Sequence, residues 1–422
     1  MKSTSITRRL LLAMIVVAGA AFATRPHGAE VPAFDLLIIN GRILDGSGNP
    51  WFAGSVGIRN GKIAEIGRIP DASGKQVINA KGLVITPGFI DLHSHSDYTL
   101  LADGAAQSKI RQGVTTEILG EAESAAPVLG PAVADFDRSL RPYGVHRDWT
   151  TFAQYFARLE RQGIAVNVAS YVGSGQVRHC AMGNVNRAPT PEELRRMRGL
   201  VEQAMRDGAI GLSSGLIYPP NSYAQTDELV ELARIAARHG GIYASHIRSE
   251  GDTSLAAIDE AIDIGERAGL PVHIFHFKAF GQAHWGHIRE RIERIQAARN
   301  RGLEITADQY PYIAGMTGLR MCIPAKFMEG TSEEFASRLK DPKVRAEIRR
   351  AIEEGLPGWG DNMVKIVGGW HGVLVAALQK PENKKFEGMR TDDVAKAMGK
   401  DPLDALCDLL ISEGGSADAV YF

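Results

Sequence analysis

Four histidines carry the chemistry open to this sequence. His93 and His95 sit in Asp91-Leu92-His93-Ser94-His95, at the end of an apolar run from Gly82 to Ile90. Residues two apart on a strand share a face, so both imidazoles point the same way and can converge on one metal ion. His246 closes Gly241-Ile242-Tyr243-Ala244-Ser245-His246, and His276 lies in Val272-His273-Ile274-Phe275-His276-Phe277-Lys278. Their separation matches one strand–helix–strand repeat, so both emerge at the same end of adjacent parallel strands. A metal held by strand-end histidines with open positions activates water, and the pattern therefore predicts metal-dependent hydrolysis. An isolated His-x-His also fits two hydrogen-bonded core histidines, but four converging histidines favour the metal. His273, three residues before His276, is expected to face away from the site. His179, His239, His284, His287 and His371 fall in helix or loop contexts and read as surface or supporting groups.

The elements that must position these groups are legible. From Val84 the chain alternates strand and helix, with strands over Val84–Leu92, Thr115–Leu119, Val166–Val172, Ile210–Ser213, Ile242–His246, Val272–Phe277 and Ile305–Tyr310. Helices are expected over Thr226–His239, Ser254–Ala268 and His287–Arg301. Another opens at Thr190, with Pro191 in the first helical position and Glu193 closing a capping box. Repeated strand–helix units of this kind form either a closed barrel or an open doubly wound sheet. Before them, two strand runs flank Asn60-Gly61, the strongest short hairpin signal, and residues 31–85 read as a small antiparallel β domain.

Bulk composition is that of an ordinary globular chain: 422 residues, 44% hydrophobic, net charge −1. No basic footprint for nucleic acid is present. Cys180, Cys322 and Cys407 are far apart, which indicates neither a zinc finger nor a disulfide framework. Residues 1–23 read as a signal peptide. Thr7-Arg8-Arg9-Leu10-Leu11-Leu12 resembles a twin-arginine motif, Leu10–Ala21 is apolar, and Ala21-Phe22-Ala23 offers a cleavage site. The apolar run is shorter than the ~20 residues that span a bilayer. The expectation is export to a periplasmic or extracellular location, with no stable membrane anchor after cleavage.

Five segments resemble the N-acyl-D-amino-acid deacylase (D-aminoacylase) family of the amidohydrolases. They are Thr86–His95, Gly113-Val114-Thr115-Thr116, Ala244–Glu250, Phe275–Ala279 and Ala307–Tyr312. The resemblance implies an α/β fold, a TIM-barrel-like (β/α)8 hydrolase with a small β-sheet domain. It implies Zn2+ as cofactor and hydrolysis of the N-acyl amide of small-molecule N-acyl-D-amino acids. His246 and His276 would hold the tighter zinc, and His93 and His95 a weaker position. Lys278, Tyr218 and Tyr310 match positions of substrate contact. Arg248 would suit a substrate carboxylate, because its planar fork matches one bidentately. Salt bridges and core packing are the alternative roles for these four.

The chain departs from the family pattern in three places. Gly120-Glu121-Ala122-Glu123-Ser124 replaces a segment whose cysteine ligates metal, and Glu121 or Glu123 can substitute because carboxylates ligate zinc at similar distance. Ser174 stands where members often have histidine. The aspartate expected after strand eight, as general base, has no counterpart before Phe422. The expectation is therefore a barrel, residues 83–422, truncated before strand eight and lacking a catalytic base, so that this chain by itself is inactive. Two other functions remain: cyclic-amide hydrolysis, which typically uses a bridging strand-end lysine not seen in strands three or four, and non-catalytic metal or ligand binding.

Overall fold

A computed structural model describes residues 33–422. The proposed signal segment, 1–23, lies outside the described residues. The chain divides into a unit that ends at Pro87 and a unit spanning Gly88–Phe422.

The first unit is a five-stranded sheet around a small core of Phe34, Leu37, Ile39 and Ile69. Strands β2 (Phe52–Arg59) and β3 (Lys62–Gly67) form the hairpin that Asn60-Gly61 predicts, with both turn residues at positive φ, 53° and 70°. The sheet is mixed rather than antiparallel. Strand β1 (Phe34–Ile43) pairs antiparallel with β2 but parallel with β4 (Gly74–Asn79) and β5 (Val84–Ile85). The chain crosses over after β3 instead of turning back, so β4 and β5 run with β1. Strand β1 also continues through Asn40 by a register shift between Ile38 and Gly41, where Asn40 takes φ 56°.

The run expected as a single strand over Val84–Leu92 is two strands. Val84–Ile85 belongs to the first sheet, and β6 (Phe89–Asp91) opens the second unit. Pro87 lacks an N–H and ends the ladder, and Gly88 passes so close to Thr115 that a Cβ there would lie 2.1 Å from its hydroxyl oxygen.

The second unit is a wall of parallel strands: β6, β7 (Val114–Leu119), β8 (Asn167–Ser170), β9 (Val172–Gly173), β10 (Gly211–Gly215), β11 (Ile242–His246), β12 (Val272–Ile274) and β13 (Ile305–Ala307). β8 and β9 are one strand interrupted at Tyr171, whose N–H still donates to Leu119 across the gap. The seven barrel strands thus follow the sequence reading in order and direction. Among the described residues, β6 and β13 are paired on one side only. Helices cover the outside. The one over Pro191–Arg206 starts on the expected capping box, with Glu193 N–H donating to Thr190 and Thr190 N–H to Glu193. Ile118, Tyr171, Ala244 and Phe275 pack inside the wall, while the large core between strands and helices includes Leu212, Tyr243, Val272 and Ile258.

Residues 315–422 build something the strand–helix rhythm does not indicate. A three-stranded antiparallel sheet, β14 (Gly315–Gly318), β16 (Asp418–Tyr421) and β15 (Val373–Val375), carries a second core with helices over Ser332–Arg338, Pro342–Glu354 and Pro402–Ser412. Ile217, Tyr218 and Phe280 from the barrel loops pack against that core.

The turn after β7 decides where Glu121 lies. Gly120 has φ 87°, and a Cβ there would stand 2.3 Å from the Tyr171 carbonyl oxygen. Gly120→Ala should lower stability by at least about 1–2 kcal/mol from the left-handed backbone alone, with the clash adding to it. Urea denaturation checks this; an unchanged midpoint would show that the turn can relax.

Candidate metal centre

The sequence places His93 and His95 just past β6, and three contacts hold that loop. The Asp91 carboxylate accepts from the His93 N–H at 3.1 Å and is itself paired with Lys109. Ser94, between the histidines, points inward and donates to the buried Glu117 carboxylate at 2.5 Å. The His93 ring packs 4.3 Å from Phe275, centroid to centroid. His95 is more open, its side chain 70% exposed.

His246 ends β11 and is buried. His276 follows β12 at φ 38°, a left-handed conformation uncommon for a side-chain-bearing residue. Its N–H donates to Asp308 at 2.5 Å, and Asp308 is held in turn by His273 at 2.9 Å. His273 therefore faces away from the cluster and serves as a brace, as its spacing implies. Asp308 has both carboxylate oxygens engaged.

Glu121 lies at the centre. One oxygen, Oε2, is 2.6 Å from His93 Nε2 and 3.1 Å from His95 Nε2. The other, Oε1, is 3.1 Å from His246 Nδ1 and 3.9 Å from His276 Nε2. The donors therefore form two sets that share one carboxylate: His93, His95 and Glu121, and Glu121, His246 and His276. Of the two glutamates weighed as ligands, Glu121 is buried in the cluster and Glu123 is exposed. Ser174 is buried away from it, bonded to Asn221.

The electrostatics follow from this geometry. Burial alone would push the Glu121 carboxyl up. The His93 charge, with hydrogen bonds from His246, His276 and His93, holds it well below the usual range. Burial, then the neighbouring His276, push His246 down. Burial would lower His276 too, but the Glu250 charge and bonds to Glu121 and Glu250 carry it up to about 9.

A borderline cation such as zinc fits this donor set of imidazoles and carboxylate. His246 Nε2 supports the fit, since it is buried with no hydrogen-bond partner, a cost that ligation would remove. His276 must lose its extra proton to ligate.

The rest of the pocket holds three of the four expected substrate residues. Lys278, Tyr218 and Tyr310 line it together with Ile217, Phe280, Met316 and Met363. The Lys278 ammonium lies 5.2 Å over the Tyr310 ring, and the Tyr218 hydroxyl accepts from Thr317 at 3.1 Å. Arg248 is elsewhere, and its expected role as a carboxylate clamp is corrected. Its guanidinium grips Glu260 through Nε and Nη2, both at 2.9 Å, and donates to the Ser222 and Ala224 carbonyls. The fork that would read a substrate is already filled by a carboxylate of this chain. Sequence reasoning missed Glu250 and Asp361, which also line the pocket. Glu250 follows His246 within the Ala244–Glu250 segment, a signal that could have found it; Asp361 has no such signal.

Comparison with known proteins agrees with this geometry. The sequence pattern of the amidohydrolase family matches residues 76–357. A D-aminoacylase of Alcaligenes xylosoxydans xylosoxydans is 40% identical over 287 residues, covering 68% of this chain and 59% of that protein. An N-acyl-D-glutamate deacylase of the same organism is 36% identical over 286 residues, 67% of this chain and 58% of that protein. The chain thus spans less than two thirds of the length of these relatives. The crystal structure of N-acyl-D-glutamate deacylase from Bordetella bronchiseptica, complexed with zinc and a phosphonate inhibitor, superposes with a TM-score of 0.74 at 29% identity, over 92% of this chain and 71% of that one.

Because His276 is held protonated up to about pH 9, zinc uptake by the metal-free protein at pH 7 should release protons. The release should fade as pH rises through 9, where His276 is already neutral. Calorimetric titration in buffers of differing ionisation enthalpy measures this; zinc binding without proton release at pH 7 contradicts it.

Proposed function

The chain belongs to the amidohydrolase family, and on that premise we propose that it is a zinc-dependent N-acyl-D-amino-acid deacylase. The observation that carries the reading is Glu121 shared between two histidine pairs that line one pocket with Lys278 and two tyrosines. The relatives' activities support the substrate class.

His93 and His95 with Glu121 would hold one metal position, and His246 and His276 with Glu121 the other. Zinc, when bound, supplies Lewis-acid polarisation of an acyl carbonyl and acidification of water. The Lys278 ammonium, which lines the pocket, attracts the carboxylate of an amino acid. The Tyr218 and Tyr310 hydroxyls stay protonated, since burial pushes both up, and can donate to the acyl or carboxylate oxygens. Ile217, Phe280, Met316 and Met363 exclude water from the bound amide. Among the described residues, the only lysine or arginine lining the pocket is Lys278, already paired with Glu250. This favours an apolar substrate side chain over an acidic one. Asp308 does not offer a base, because both oxygens are occupied. Cyclic-amide hydrolysis through a bridging lysine is not supported, because the residue shared by the two donor sets is Glu121 and neither set includes a lysine.

The full-length protein loaded with zinc should release free amine from N-acetyl-D-leucine and N-acetyl-D-methionine far faster than from their L forms. Equal rates for the two enantiomers, or activity only on hydantoins or dihydroorotate, would rule the reading out. Replacing His246 or His276 by Ala should remove tightly bound zinc, whereas His93→Ala should retain it with lower activity; elemental analysis separates the two.

Export of the protein is supported by Arg8-Arg9 and the apolar stretch after it. No helix among the described residues is long and apolar enough to cross a membrane. N-terminal sequencing of protein recovered from the native host should begin at Thr24; an intact Met1 in that fraction would refute cleavage there.

A further inference from the structure

Glu250 is buried beside the histidine cluster without belonging to either donor set. Its Oε1 lies 2.7 Å from His276 Nδ1 and 2.5 Å from Lys278 Nζ. Lys278 Nζ is also 3.0 Å from the His276 carbonyl oxygen, so ammonium, carboxylate and imidazole form one compact group. The backbone of Glu250 is fixed from both sides. Its N–H donates to Asp361 Oδ2 at 2.9 Å, and its carbonyl accepts from Phe280 N–H at 3.0 Å. Asp361 also accepts from the Ser249 hydroxyl at 2.7 Å. The loop after β11 is thereby tied to the loop after β12 and to the segment carrying Asp361. A side chain anchored this well has no freedom to serve as a mobile acid or base.

We propose that Glu250 is a positioning residue that sets two groups at once, holding the proton of His276 on Nδ1 so that Nε2 faces Glu121 and the metal, and fixing the Lys278 ammonium toward the substrate. A histidine has one ring nitrogen to give a metal, and a carboxylate on the other nitrogen decides which. Here Nδ1 faces Glu250 and Nε2 faces Glu121. The Lys278 charge would repel a protonated His276 and a bound cation alike. Lys278 Nζ stands only 2.9 Å from His276 Nδ1, and the Glu250 oxygen that touches both offsets that repulsion. A purely structural salt bridge would need Lys278 alone; the shared oxygen on His276 is what assigns the second role.

The inference rests on the deacylase reading for Lys278 and on metal binding for His276, and its test separates these. In the zinc-loaded full-length protein, nitrogen NMR of the histidine rings should show His276 protonated on Nδ1; a proton on Nε2 overturns the proposal without any mutation. Glu250→Ala should weaken zinc at one position by roughly 10–100-fold in chelator competition and also raise KM. Lys278→Met should raise KM without weakening zinc. Asp361→Asn, which leaves every ligand intact, should shift both quantities in the direction of Glu250→Ala, and it serves if that variant does not fold. Folded Glu250→Ala protein with wild-type zinc affinity overturns the proposal. If the wild type binds zinc but hydrolyses no N-acyl-D-amino acid, the deacylase reading fails, while the NMR and zinc results still judge Glu250 on His276.

Discussion

A buried carboxylate surrounded by four imidazoles has to be matched closely by its neighbours, because an uncompensated charge in that environment costs several kcal/mol. Glu121 meets the condition by giving one oxygen to His93 and His95 and the other to His246 and His276. Everything around it serves that placement. The turn after β7 runs through left-handed backbone at Gly120 and again at Ala122, φ 54°. It then tucks against β9, where Gly173 comes so near that a Cβ would meet the Ala122 carbonyl oxygen at 2.2 Å. Metal and protons compete for the same nitrogens. The surrounding histidines hold Glu121 acidic, while the Glu250 charge, with bonds to Glu121 and Glu250, holds His276 basic. The site is thus organised around negative charge.

Support reaches the ligands in layers, and each layer comes from a different strand. Glu117 on β7 steadies Ser94 beside the His-x-His loop. Asp308, past β13, steadies the His276 backbone, and His273 steadies Asp308. Buried polar groups of this kind are tolerated only when partnered. Two of the buried oxygens without a partner, on Glu117 and Asp97, lie close to the same loop. The pattern is a polar spine through the strand ends, enclosed by the apolar wall of Ile118, Tyr171 and Phe275.

What could be read from the sequence divides along physical lines. Strand order, strand direction and the convergence of His93, His95, His246 and His276 depend on periodicity, which is local, and the structure has them as the sequence indicates. Glu121 was one of two candidates that spacing could not separate; a backbone turn at positive φ buries one and exposes the other. Arg248 shows the limit more sharply. Its chemistry suits a substrate carboxylate, but a helix beginning at Ser254 brings Glu260 within its reach, and no local pattern reports that contact. The sheet over residues 315–422 was equally hidden. Gly315-Met316-Thr317-Gly318 carries little strand propensity, and it pairs with residues about a hundred positions away. Long-range pairing of that kind is decided by packing. The crossover that turns the first sheet from antiparallel to mixed is another instance, since nothing within β4 distinguishes a parallel partner from an antiparallel one.

Asp361 contributes no metal ligand, yet it accepts three backbone or hydroxyl hydrogen bonds from Ser249, Glu250 and Gly251. Segments linked in this way share their opening equilibria: when the Asp361 segment opens, the loop after β11 loses these bonds. Residues around Asp361 are therefore thermodynamically part of the metal centre. A nick, a crowding partner or a neutral substitution there would be felt as a change in how long metal resides, although the affected residues lie more than a hundred positions from His246 in the chain. Evolution of that segment could then retune metal retention while every ligand stayed the same.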